Sequence, residues 1–105
     1  MSGGAGKHTI ILVQYSNSFQ SRSYMEFPAV NAALDALVKM YEHKLKELNP
    51  SVPNITYDIS DLYQYLDSLH DLCGLVLDPN SNKYEPKDRK WLKEKIFAHL
   101  RGQAK

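Results

Sequence analysis

The chain has 105 residues, of which 43% are hydrophobic and 24% charged, and its formal net charge is +1. That length holds one domain with a modest core, and so even a charge argues against a dedicated nucleic-acid binder, which carries a basic excess. No stretch approaches the run of about 18 apolar residues that a membrane span needs. Cys73 is the single cysteine, so an intramolecular disulfide is excluded and a reducing, intracellular setting is the natural reading.

The even charge conceals an asymmetry. Thr56 to Asp78 holds five Asp and no Lys or Arg, whereas Lys87 to Lys105 holds seven basic residues against Asp88 and Glu94. Such a layout can steer a charged partner, and two solvated helix faces account for it as well.

In chain order, the Gly-rich start from Met1 to Lys7 reads as a disordered tail without the hydrophobic segment of a signal peptide. Asn54-Ile55-Thr56 matches a glycosylation sequon, which without such a signal is taken as chance. The single domain is expected over residues 8–102, with 103–105 as a C-terminal tail.

His8 to Tyr15, HTIILVQY, is β-branched and ends at the polar loop Ser16 to Ser21, which predicts a strand. Alternation puts Thr9, Ile11, Val13 and Tyr15 on one face and His8, Ile10, Leu12 and Gln14 on the other. Both faces are apolar at their centres. An antiparallel sheet in a small domain covers one face with helices and leaves the other polar, so this strand requires a second cover that the chain is too short to supply. A short strand is expected at Arg22 to Phe27.

Pro28 stands where a helix should open. The stripe Val30, Ala33, Leu34, Leu37, Tyr41, Leu45, Leu48 then predicts an amphipathic helix that stops at Asn49-Pro50. Val38 and Met40 lie on its flanks. A second helix is expected behind Asp58, whose carboxylate can cap the first turn, with Asp61 favourably placed for the helix dipole. Its stripe is Ile59, Leu62, Tyr63, Leu66 and Leu69.

Leu72 to Leu77 reads as a buried strand ended by the turn Asp78 to Asn82. Lys83 to Glu85 reads as a short edge strand closed by Pro86, and a last helix from about Asp88 buries Trp91, Leu92, Ile96 and Leu100 before ending near Gly102. The order β-β-α-α-β-β-α predicts an α+β domain: a small four-stranded antiparallel sheet with three amphipathic helices on one face.

No reactive centre stands out. A zinc site needs about four ligands, and the four histidines share no ligand spacing with Cys73 beyond His70-x-x-Cys73. A Cys–His nucleophile pair is formally available, but Cys73 opens an apolar strand, where small buried cysteines are common. The Asp run is better explained by a cap and a wet helix face. No phosphate-binding Gly loop is present, and no cofactor is implied. Tyrosines in or beside the proposed strands suit a protein interface; stacking on RNA bases would call for basic residues among them, which are missing. Ser23-Tyr24-Met25-Glu26 places an acid three residues after a serine, which makes Ser23 a candidate phosphosite for an acidophilic kinase. A charge of about −2 beside a hydrophobic interface would weaken association.

The residues HTIILVQ (8–14), Arg22, Tyr24, Val30, Asn31, KMYE (39–42), NP (49–50), ITYDIS (55–60), LV (75–76), Tyr84 with Pro86, and W-x-KEKI (91–96) together resemble the enhancer of rudimentary homolog family. The likeness runs from His8 to Gln103. It implies an α+β domain that dimerises by apposing two sheets with the helices outside, and hence that the His8, Ile10 and Leu12 face is the dimer face. Ile10 and Leu12 are expected at its centre, with His8 and Gln14 at its margins. Two aliphatic side chains contribute only about 1.5–3 kcal/mol each, so Tyr24, Leu77 and Tyr84 of the neighbouring strands are expected to join them. The likeness also implies a non-enzymatic platform for short, disordered segments of RNA-processing, small-RNA and transcription proteins, mostly nuclear with a cytoplasmic share, touching RNA only indirectly and no membrane.

Lys39, Met40 and Glu42 are candidate partner-binding residues beside the first helix. Departures from the family pattern bear on partner identity: a second kinase-type serine is Ala29 here, the Ser16 to Ser21 loop is Ser/Asn-rich, the N-terminal tail is longer, and the C-terminal tail is shorter. Two rival classes stand beside the adaptor: a direct RNA-binding protein using the basic last helix, and a regulator linked to pyrimidine synthesis.

Overall fold

A computed structural model describes residues 7–53 and 55–103, the last by its backbone alone. Most of the expected N-terminal tail (1–6), the end of the expected C-terminal tail (104–105) and the sequon's Asn54 lie outside the described residues.

Four strands form one antiparallel sheet: β1 (Thr9–Gln14), β2 (Arg22–Phe27), β3 (Asp71–Asp78) and β4 (Lys83–Lys87), in the spatial order β2-β1-β3-β4. Three helices, α1 (Val30–Leu48), α2 (Ile59–Ser68) and α3 (Arg89–Gln103), supply the other layer. The α+β fold and the order β-β-α-α-β-β-α are as the sequence predicts.

One side of the sheet and the inner sides of the helices make the core. Ile11 and Val13 point into it from β1 and Leu72 from β3, and they meet Ala33, Leu34, Leu37, Val38 and Tyr41 of α1, Leu62 and Leu66 of α2, and Leu92 and Ile96 of α3. Each of these large aliphatic side chains contributes about 1.5–3 kcal/mol on full burial. The molecule measures only 20 Å along its shortest axis, which leaves room for one sheet and one helix layer.

Local chemistry sets the element ends. Asp58 and Asp61 form a capping box at the start of α2, in which Asp61 Oδ2 accepts the Asp58 backbone N–H at 3.0 Å. The β3–β4 turn is held by the Asp78 carboxylate, which accepts from Asn80 N–H at 2.9 Å and from the Ser81 hydroxyl at 3.2 Å. Asn82 closes it at φ 58°, a left-handed conformation that asparagine tolerates.

Several expectations are corrected. Ala29 is still extended and serves as the N-cap of α1, so Pro28 precedes the helix instead of opening it. Leu48 is largely exposed, because the final turn of α1 runs past the core. Pro86 lies inside β4, where an edge position spares its missing N–H. Trp91 and Leu100 are only half-buried. Gly102 is helical, and α3 continues to Gln103.

Candidate interaction surface

In an antiparallel ladder, residues directly opposite one another share a face. Leu12 is opposite Tyr24 on β2 and Cys73 on β3; Ile10 is opposite Glu26 and Leu75. Leu75 faces Pro86 and Leu77 faces Tyr84 on β4, and the Leu77 N–H donates to His8 O at 2.9 Å, which carries the β1–β3 ladder one residue further. Ile10, Leu12, Tyr24, Cys73, Leu75, Leu77, Tyr84 and Pro86 therefore lie together on the side of the sheet away from the helices.

Among the described residues no helix covers this side, on which Ile10, Cys73, Leu75 and Leu77 are half-buried. Leu12 is 38% exposed, Tyr24 64% and Tyr84 41%, whereas Ile11, the inward neighbour of Leu12, is fully buried. Its polar margin is organised. His8 Nε2 lies 3.2 Å from Glu26 Oε1 and His8 Nδ1 2.6 Å from the Tyr84 hydroxyl. The Glu26 carboxylate stands as an ion-pair partner for a protonated ring, and Nδ1 shares a hydrogen bond with the Tyr84 hydroxyl. The chain Tyr84–His8–Glu26 ties β4, β1 and β2 across one end of the face.

Six of the seven residues assigned to this face by sequence, His8, Ile10, Leu12, Tyr24, Leu77 and Tyr84, are brought together. Gln14 shares their register but is covered by its own chain: its amide donates to Ser16 O at 2.8 Å, and its carbonyl accepts from Arg22 Nε at 2.9 Å. Leu75, Cys73 and Pro86 were missed. Leu75 and Cys73 follow from Leu77 by counting back in twos, whereas a proline such as Pro86 reads in the sequence as the end of the strand. Burial, and secondarily the Asp71 carboxylate, push the Cys73 thiol up.

Ser23 is exposed on the edge strand β2, but it lies opposite Val13 and so belongs to the helix side of the sheet. It also lines a small recess with Leu12, Gln14, Arg22 and Cys73.

Lys39, Met40 and Glu42 do not converge. Lys39 points to solvent. Met40 lines a recess with Tyr15, His43, Lys44 and Tyr65 between α1 and α2. Glu42 faces the other way, where its Oε2 accepts the Tyr57 hydroxyl at 2.8 Å. Successive positions 100° apart on a helix impose this split.

A larger groove, of about 600 Å³, opens on the helix side between α1, α3 and β4. Val76 and Leu34 lie at its floor, and Lys7, Lys87, Trp91 and Lys95 stand around it. Nearby, His99 Nε2 of α3 and Asp35 Oδ1 of α1 are 2.6 Å apart, which ties the two helices together. Among the described residues, no three His, Cys, Asp or Glu side chains group as a metal site, and no helix is long and apolar enough to cross a membrane.

The described residues thus form a small α+β domain, one sheet and one helix layer, with an apolar outer sheet side. The enhancer of rudimentary family model matches residues 5–105. Among similar proteins, an enhancer of rudimentary homolog of Arabidopsis thaliana is 47% identical over 92% of this chain and 89% of its own length. One of Dictyostelium discoideum is 43% identical over 92% and 97%, and the protein enhancer of rudimentary of Drosophila virilis is 42% identical over 92% and 93%. The chain belongs to the enhancer of rudimentary family.

Proposed function

We propose that this protein is a homodimeric, non-catalytic adaptor. Two copies appose their outer sheet faces, and the dimer offers its surfaces in pairs to short segments of RNA-processing, small-RNA or transcription proteins in the nucleus. The observation that carries the reading is the bare apolar face built from Ile10, Leu12, Leu75 and Leu77 with Tyr24 and Tyr84 around them. A face of that composition exposed on a monomer marks an interaction site, and a surface that matches a copy of itself closes as a two-fold dimer.

The non-catalytic part of the reading is supported by Cys73. Its thiol is pushed up, the opposite of what an activated nucleophile requires. A dimer presents each surface twice, so a linked partner gains avidity.

The test is affinity capture of wild type and Leu12→Arg from native cells, each with and without RNase. An unpaired guanidinium buried at the centre of the contact splits the dimer. Partners that survive RNase and vanish with Leu12→Arg fit the adaptor reading. Partners lost to RNase alone would replace it with direct RNA binding.

A further inference from the structure

We propose that the groove between α1, α3 and β4 binds an acidic segment of a partner protein, with its carboxylates against Lys7, Lys87 and Lys95 and its apolar side chains against Trp91. This rests on the adaptor reading and names the chemistry of the segment.

The groove exists because β4 lies at the sheet edge, where the helix layer leaves its inner side open. Three lysines stand around it, and Glu85 is the one carboxylate among its described lining residues, held 3.6 Å from Lys87 Nζ. The groove is therefore cationic, although the chain as a whole is nearly neutral. Two of the ammonium groups are organised by an aromatic ring: Lys87 Nζ is 5.1 Å and Lys95 Nζ 5.6 Å from the Trp91 ring centre. Cations held in place over an apolar floor suit a ligand with alternating acidic and apolar side chains.

A nucleic-acid strand fits less well. Glu85 within the groove opposes a continuous phosphate backbone, while separate carboxylates can avoid it.

Trp91 is the only tryptophan in the chain, so its fluorescence reports on the groove without a label. The full chain is titrated with a short synthetic peptide of alternating glutamate and leucine, with a lysine–leucine peptide, and with oligouridylate. The expected result is a shift in Trp91 emission with the acidic peptide, weakened by added salt. The double variant K87Q/K95Q lowers that affinity about tenfold or more, and Leu12→Arg leaves it unchanged because the groove lies within one protomer. The inference is overturned by no shift, by equal binding of the lysine peptide or oligouridylate, or by a double variant that binds as wild type. None of these failures alters the mass of the dimer, so the dimer stands or falls on its own measurement.

Discussion

Leu12 on β1 stands directly opposite Cys73 on β3, on the side of the sheet that no helix covers. The relationship makes Cys73 a chemical reporter for that side. Alkylation requires the thiolate, which burial and Asp71 disfavour here, and it requires access, which an apposed second sheet removes. Wild type should therefore be alkylated slowly at neutral pH and faster as pH rises above the usual thiol range. Leu12→Arg should react faster than wild type at the same pH. Mass spectrometry of timed iodoacetamide reactions reads both; equal rates in the two proteins would mean that the face is open in solution.

Tyr57 provides a pH-dependent prediction. Burial, together with its hydrogen bond to Glu42, holds its hydroxyl far above the usual tyrosine range, and burial raises Tyr41 and Tyr65 too. In the unfolded chain a tyrosine loses its proton near pH ~10. Above that pH the unfolded state sheds protons that the folded state keeps, so stability falls as pH rises. Denaturant unfolding across the alkaline range should show this decline, and ultraviolet titration should show a late-ionising group of tyrosines. Tyr57→Phe should flatten part of the decline and, by removing the bond to Glu42, cost about 0.5–1.5 kcal/mol at neutral pH.

The start of α2 depends on a reciprocal pair of aspartates. Asp58→Ala removes one half of the capping box and should cost about 1 kcal/mol, within a usual range of about 0.5–2. Asp61→Ala should cost a similar amount, because its Oδ2 accepts the Asp58 N–H. The double variant should cost less than the sum of the two, since either loss already breaks the box. Urea unfolding midpoints at neutral pH check the additivity.

Where function rests on periodicity, this sequence is easy to read. Residues two apart on HTIILVQY separate a core face from a second apolar face, and the ladder register then gathers Tyr24, Leu77 and Tyr84 beside Ile10 and Leu12. The cap at Asp58 is equally legible, because capping is a local matter of a side chain and the backbone three residues on.

Spatial closure is less legible. Gln14 has the register of the outer face, yet the Ser16 to Ser18 loop folds over it. Pro86 breaks a central strand but not an edge one, and nothing in the sequence states which strand lies at the edge. The groove around Trp91 joins Lys7, α1, β4 and α3. Those segments come together only once the sheet order places β4 beside β3 and outside β1.

The central claim is that the bare side of the sheet is a dimer face. The most direct measurement is the molecular mass in solution, by sedimentation equilibrium, of wild type and Leu12→Arg at matched concentration. The account predicts twice the chain mass for wild type and a folded single chain for Leu12→Arg, with its helical signal kept. A wild-type protein that sediments as one chain, or a Leu12→Arg protein that remains an unchanged dimer, would contradict it.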